Sequence, residues 1–159
     1  MSEAVQPGQC RCGKVRFAAQ GRPLITMACH CRGCQLMSSS AYSLSSLYPA
    51  DAFAVTEGEP VLGGLKGATR HSFCPSCLSW MFTRPEGMDD FVNVRSPLFD
   101  DAAAHRPFME TYCREALPGA ATGAVERFDT LPQDDQFGPL MAAYAAWGGS
   151  AAATEEENA

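Results

Sequence analysis

A mainly β chain with one short C-terminal helix is the fold class this sequence predicts, and three observations predict it. Short apolar runs recur between frequent glycines, prolines and serines, the punctuation of many brief strands. One stretch near the C-terminus carries a sustained helical period. Seven of the eight cysteines fall into three tight clusters, Cys10-x-Cys12, Cys29-x-Cys31-x-x-Cys34 and Cys74-x-x-Cys77, so a metal ion is expected to tie the first strand to the middle of the fold.

Taken in order, residues 14–19 alternate in part around Val15 and Phe17 and read as a strand. Residues 34–38 suit a single helical turn after the second cysteine cluster. The segments 41–47, 53–56, 61–66 and 70–73 read as further strands, as do 79–83, 91–95, 108–113 and 125–128. Residues 136–147 carry Phe137, Leu140, Met141, Tyr144 and Trp147 at helical spacing. Asp134 and Asp135 suit the start of that helix, and Gly148-Gly149 its stop.

Length and composition set the class. The 159 residues suit one domain over 1–147, followed by a small, acidic and disordered tail over 148–159. Apolar residues make up 46% and charged residues 19%, a globular balance. No apolar stretch approaches the roughly 18 residues that span a bilayer. The start, Met1-Ser2-Glu3-Ala4-Val5-Gln6-Pro7, lacks the basic and apolar regions of a signal peptide, so the cytoplasm is the expected compartment. The formal charge is −6 and the twelve Lys and Arg are scattered, which excludes general attraction to nucleic acid or to an anionic membrane.

In a reducing compartment, clustered thiols point to metal rather than to disulfides, and adjacent CxC thiols rarely bridge one another. The alternatives are four disulfides, or cysteines buried as small hydrophobes. Residues i and i+2 of an extended strand leave the same face, so Cys10 and Cys12 can aim at one point. Cys74-Pro75-Ser76-Cys77 reads as a tight turn presenting two more thiols, with Pro75 fixing φ. These four make a closed, structural zinc site. Cys29, Cys31 and Cys34 make an open one with three ligands, the third brought back through a turn eased by Gly33, and a fourth position left for substrate.

His30 lies between two of those ligands and is expected on the opposite side, in the core or behind the site. Cys113 or His71 could close the open site, which would end its catalytic reading. Three thiolates make zinc a weak activator of water but a good acceptor for an incoming thiol, whose pKa it would lower. A thiol substrate follows from that chemistry.

In this order, CxC, CHCxxC and FCPxC resemble the glutathione-dependent formaldehyde-activating enzyme family over residues 8–115. The resemblance rests on the opening segment Gly8-Gln9-Cys10-Arg11-Cys12-Gly13-Lys14-Val15-Arg16-Phe17, on Cys29-His30-Cys31-Arg32-Gly33-Cys34 and on Phe73-Cys74-Pro75-Ser76-Cys77. It implies an Mss4-like fold of several small antiparallel sheets around a structural zinc on Cys10, Cys12, Cys74 and Cys77. It also implies a catalytic zinc, labile or empty at rest, on Cys29, Cys31 and Cys34. The implied activity is a carbon–sulfur lyase run in reverse: glutathione adds through sulfur to formaldehyde and gives S-hydroxymethylglutathione. Where family members usually carry glycine, this chain has Leu78, the run Ser38-Ser39-Ser40 and the segment 94–101.

Arg32, Lys66, Arg70 and Arg95 are the candidates to meet glutathione's carboxylates, whereas Phe73, Trp80 and Phe82 read as core. Two further readings share these residues. A non-catalytic zinc module of Mss4-like fold would bind a protein partner. A redox switch would join Cys31 to Cys34 when zinc leaves, although no thioredoxin-like βαβ setting surrounds them.

Overall fold

A computed structural model describes residues 4–65 and 67–148, so Lys66 and all but the first residue of the predicted acidic tail lie outside the described residues. The strands are β1 (Val5–Gln9), β2 (Arg16–Gln20), β3 (Ile25–Cys29), β4 (Ser43–Pro49), β5 (Phe53–Glu57), β6 (Val61–Gly63), β7 (Arg70–Phe73), β8 (Trp80–Arg84), β9 (Phe91–Arg95), β10 (Met109–Thr111) and β11 (Glu126–Arg127). Two α-helices join them, α1 (Arg32–Ser38) and α2 (Asp134–Ala146). The class is therefore mainly β with a short C-terminal helix, as expected.

The strands form two sheets among the described residues. One has three strands in the order β1-β2-β5; the other has eight in the order β11-β10-β3-β4-β9-β8-β7-β6. All neighbours pair antiparallel except β10, which runs parallel to both β3 and β11. Every segment read as a strand overlaps one: β7 and β9 match to the residue, β6, β10 and β11 are shorter than expected, and β2, β4, β5 and β8 run one or two residues past the expected end.

Two strands were not foreseen, for different reasons. β1 contains Pro7 and Gly8, which argue against a strand; it is tolerated because β1 is a sheet edge, where a missing N–H costs no ladder bond. Gly8 is needed there. It sits opposite Phe17, and a Cβ would come within 2.3 Å of that ring and 2.6 Å of Leu98 O. β3 is buried along its first four residues, so it reads as a continuous run without alternation.

Two apolar clusters lie on the two faces of β4 and β9. Phe17, Tyr48, Phe53, Phe82, Val92, Val94 and Phe99 pack between the sheets, together with Cys10 and Cys74. Ile25, Met27, Leu47, Phe108 and Met109 pack under Leu140 and Tyr144 of α2. The helix begins two residues before the expected 136, because Gln133 and Gln136 cap it reciprocally. Gln133 N donates to Gln136 Oε1 at 2.7 Å.

Strand register across the large sheet brings distant polar residues together. Cys29 pairs with Ser43, and Ser45 pairs with Arg95. Directly opposed residues share a face, as do i and i+2 along a strand. Cys29, Ser43, Ser45 and Arg95 therefore stand on one face of the sheet.

Candidate metal centres

All eight cysteines are free thiols, so no disulfide framework exists. The sulfurs of Cys10, Cys12, Cys74 and Cys77 lie within 4.8 Å of one another. Cys10 Sγ to Cys12 Sγ is 3.5 Å and Cys12 Sγ to Cys74 Sγ is 3.8 Å. Four sulfurs at about 2.3 Å from a tetrahedral ion would stand about 3.8 Å apart, so the set matches a metal tetrahedron.

The route to that geometry differs from the expected strand face. Cys10 and Cys12 lie in the turn between β1 and β2, where Cys10 N donates to Val15 O and Gly13 N to Cys10 O, both at 3.0 Å. Gly13 supplies the left-handed residue, φ 74°. The second turn, between β7 and β8, is closed by Leu78 N donating to Cys74 O at 3.0 Å.

Backbone donors already serve these sulfurs, Val15 N to Cys10 Sγ and Ser76 N to Cys74 Sγ, each at 3.4 Å. Partial burial pushes the Cys77 thiol up, but hydrogen bonds from the Ser79 hydroxyl and backbone outweigh it and hold the thiol at about 5. Thiolate is the form a metal takes.

Cys29, Cys31 and Cys34 form a second group within 4.8 Å. Cys29 ends β3, Cys31 is the N-cap of α1, and Cys34 lies in the helix, where its N–H donates to Cys31 Sγ at 3.4 Å. The third sulfur is thus returned by a helical turn rather than by a glycine bend; Gly33 has no positive φ. Glu115 Oε2 accepts from Arg32 N at 2.7 Å, and Gln35 Nε2 donates to His30 O at 2.7 Å and to Glu115 O at 2.9 Å, which pins the strap. The Cys34 thiol's hydrogen bond, partly opposed by burial, brings Cys29 down to about 5, while Cys34 is pushed up as the donor of that bond.

Two buried hydroxyls fit a metal at this trio. Ser43 Oγ and Thr111 Oγ1 have no hydrogen-bond partner of good geometry among the described residues. Ser43 lies against Cys34 and Thr111 against Cys29, where each could donate to a metal-bound thiolate. Neither residue was singled out from sequence; only the pairing of β3 with β4 and β10 brings them in.

The residues that could have closed the trio lie elsewhere. Cys113 groups with His30 and Glu110 instead. His71 Nδ1 bonds Thr83 Oγ1 at 2.9 Å and its ring packs edge-on against Trp80. His30 is buried behind the strap, as expected, with Nε2 3.3 Å from Glu110 Oε1. Arg127 Nε sits 3.2 Å from the other oxygen of Glu110, a partner no local motif announced.

A cavity of about 570 Å³ is lined among others by Met37, Ser43, Leu78, Trp80, Arg95 and Leu98; none of the three cysteines lines it, and it adjoins the trio through Ser43, which lies against Cys34. Of the four basic candidates, Arg32 is exposed and turned to Gln35, Arg70 is paired with Asp89, and Lys66 is outside the described residues. Arg95 faces the cavity. Trp80, read as core, is half-buried and forms the cavity wall.

The chain is thus of a mainly β class with two clusters of free thiols, one of four and one of three, each able to hold a metal ion. The model of one family, glutathione-dependent formaldehyde-activating enzyme, matches residues 5–115, which include all seven clustered cysteines. The chain belongs to that family. A comparison with curated proteins finds no match. Among solved structures, the chain is similar to a Rhodobacter sphaeroides protein at 16% identity and a TM-score of 0.48, covering 60% of this chain and 88% of that one. No helix among the described residues is long and apolar enough to cross a membrane.

Proposed function

We propose that this protein is a zinc-dependent enzyme of carbon–sulfur lyase type, acting on glutathione adducts of small aldehydes as an S-hydroxymethylglutathione synthase does. The observation that carries the reading is the donor count at the trio. Three thiols from one strap meet there, while Cys113 and His71 keep other partners. Three protein ligands leave a coordination position for substrate, whereas the set of four is complete and takes the structural role. Zinc held by Cys29, Cys31 and Cys34 would supply a soft acceptor for an incoming thiol and lower its pKa.

The chain's own residues do the rest. β3 and α1 hold the sulfurs, Ser43 and Thr111 offer hydroxyl donors to them, and the adjoining cavity admits the substrate. His30, buried against Glu110, orients the strap from behind and is not placed to move a proton in the cavity. Free thiols suit a reducing compartment, in keeping with a cytoplasmic enzyme. Residues 1–147 serve as one catalytic domain.

Metal analysis of the purified protein tests this reading. About two zinc per chain are expected, one of them removed by a mild chelator. Glutathione should protect Cys29, Cys31 and Cys34 from alkylation in the zinc-loaded protein, and one of a panel of small aldehydes should form its glutathione adduct faster with enzyme than without. One tightly held zinc with no glutathione protection would identify a non-catalytic module instead.

A further inference from the structure

Arg95 is the buried one among the described Lys and Arg side chains. It is 8% exposed, its Nε has no hydrogen-bond partner, and its only hydrogen bond among the described residues is a long one, Nη2 to Asn93 O at 3.5 Å. Arg16, Arg70, Arg114 and Arg127 each face a carboxylate; Arg11, Arg22, Arg32, Arg84 and Arg106 face none among the described residues, but of those without one only Arg95 is buried. A buried cation without a hydrogen-bonded partner is costly, and a bound anion would supply that partner. The guanidinium carbon lies 3.9 Å from the Trp80 ring centroid, a cation–π stack that fixes its plane. Trp80 is itself held by a hydrogen bond from Nε1 to Thr83 Oγ1 at 3.2 Å and by the stacked ring of Phe73.

Arg95 shares the trio's face of the sheet, two strands across and two residues along, which places its Cα about 12 Å from that of Cys29. An extended arginine covers a large part of that span, and the negative charge that Cys29 and Cys34 share stabilises its own, although no hydrogen bond among the described residues joins them. Burial lowers its pKa only to about 10, so it is cationic at neutral pH.

We propose that Arg95, held flat against Trp80, is the anion-binding residue of the site and receives a carboxylate of the thiol substrate in the cavity beside the trio. The substrate class is then a carboxylate-bearing thiol, its acid group several bonds from sulfur; a neutral thiol is a poor ligand. The inference rests on the proposed thiol-binding role of the trio, but its charge component can be tested apart from that role.

Two measurements do so. Zinc-loaded protein is titrated with glutathione and with glutathione diethyl ester, which presents the same thiol without either carboxylate. Glutathione should bind about tenfold tighter. Arg95→Met should remove that preference by weakening glutathione alone, and Arg95→Lys should keep part of it because the charge remains without the fork. Equal binding by the native protein, or a preference surviving in Arg95→Met, overturns the proposal. If neither thiol binds, the proposed function fails, and the second measurement decides the anchor alone.

In protein freed of the trio's zinc by a mild chelator, which leaves the four-thiol centre loaded, the rate of alkylation of Cys29 by anionic iodoacetate is divided by that for neutral iodoacetamide. The ratio should exceed that of free cysteine about tenfold and fall to it in Arg95→Met. A native ratio equal to that of free cysteine overturns the anchor whatever the zinc does. Arg95→Gln replaces Arg95→Met if the latter does not fold.

Discussion

At the scale of single residues, the trio divides unequal thiols among similar positions. Cys29 accepts the hydrogen bond that Cys34 donates, so one proton is held by Cys34 while Cys29 is a thiolate at low pH. A lowered pKa means that thiolate persists as pH falls, down to about 5 for Cys29. Protein freed of the trio's zinc by a mild chelator and treated with iodoacetamide at pH 6 should therefore carry the label, within the trio, on Cys29, with Cys34 unmodified until alkaline pH, as peptide mass spectrometry would read. Cys34→Ser should raise the pH at which Cys29 reacts. Labelling of all three only above pH 8 would contradict this arrangement. The cysteines and their grouping were legible from spacing alone; which one holds the proton was not, because that depends on how α1 turns Cys34 back onto the end of β3.

At the scale of elements, the two turns carrying the four-thiol centre differ in their comfort. Gly13 supplies the left-handed residue of the first turn, whereas Leu78 holds φ 59° in the second, with its side chain 70% exposed at the cavity rim. A β-carbon in that region costs about 1–2 kcal/mol, and glycine returns part of the gain through its freer unfolded chain. Leu78→Gly should stabilise the fold by about 1 kcal/mol in denaturant titration, with unchanged zinc content. A loss of stability would mean that the Leu78 side chain packs more than its exposure indicates. The sequence marked Leu78 as standing where a glycine is usual; the φ value explains what glycine would serve there. β3 escaped notice because a strand buried on both faces has no alternation, and β1 because its proline is harmless only at an edge.

At the scale of the whole molecule, the four-thiol centre ties the turn of the three-stranded sheet to the β7–β8 turn of the eight-stranded one. Few other polar links join those turns: Lys14 Nζ donates to Ser76 Oγ at 3.0 Å and Arg11 N to Ser79 Oγ at 3.2 Å, both exposed. Metal binding that forms only in the fold adds directly to folding free energy. Cys74→Ser should lose one zinc and lower the thermal midpoint by about 10 °C, since about 3 kcal/mol shifts a domain of this size by some 2–4 °C per kcal/mol. Cys34→Ser should lose the other zinc and shift the midpoint far less, because its centre lies within one strap and closes no long loop. Equal shifts in calorimetry would refute the division into structural and substrate-binding centres.

Local chemistry along the chain was enough to assign the mainly β class, the C-terminal helix and the partition of seven thiols into four and three. Those features rest on short-range spacing, turn residues and periodicity, which a linear reading contains. Pairing across the sheets settled the rest. It set Ser43 and Thr111 against the sulfurs, sent Cys113 to Glu110 and His30, and turned Arg95 and Trp80 toward the same cavity. Such neighbours are tens of residues apart in the chain, and strand register, invisible to any local pattern, is the physical variable that makes them meet.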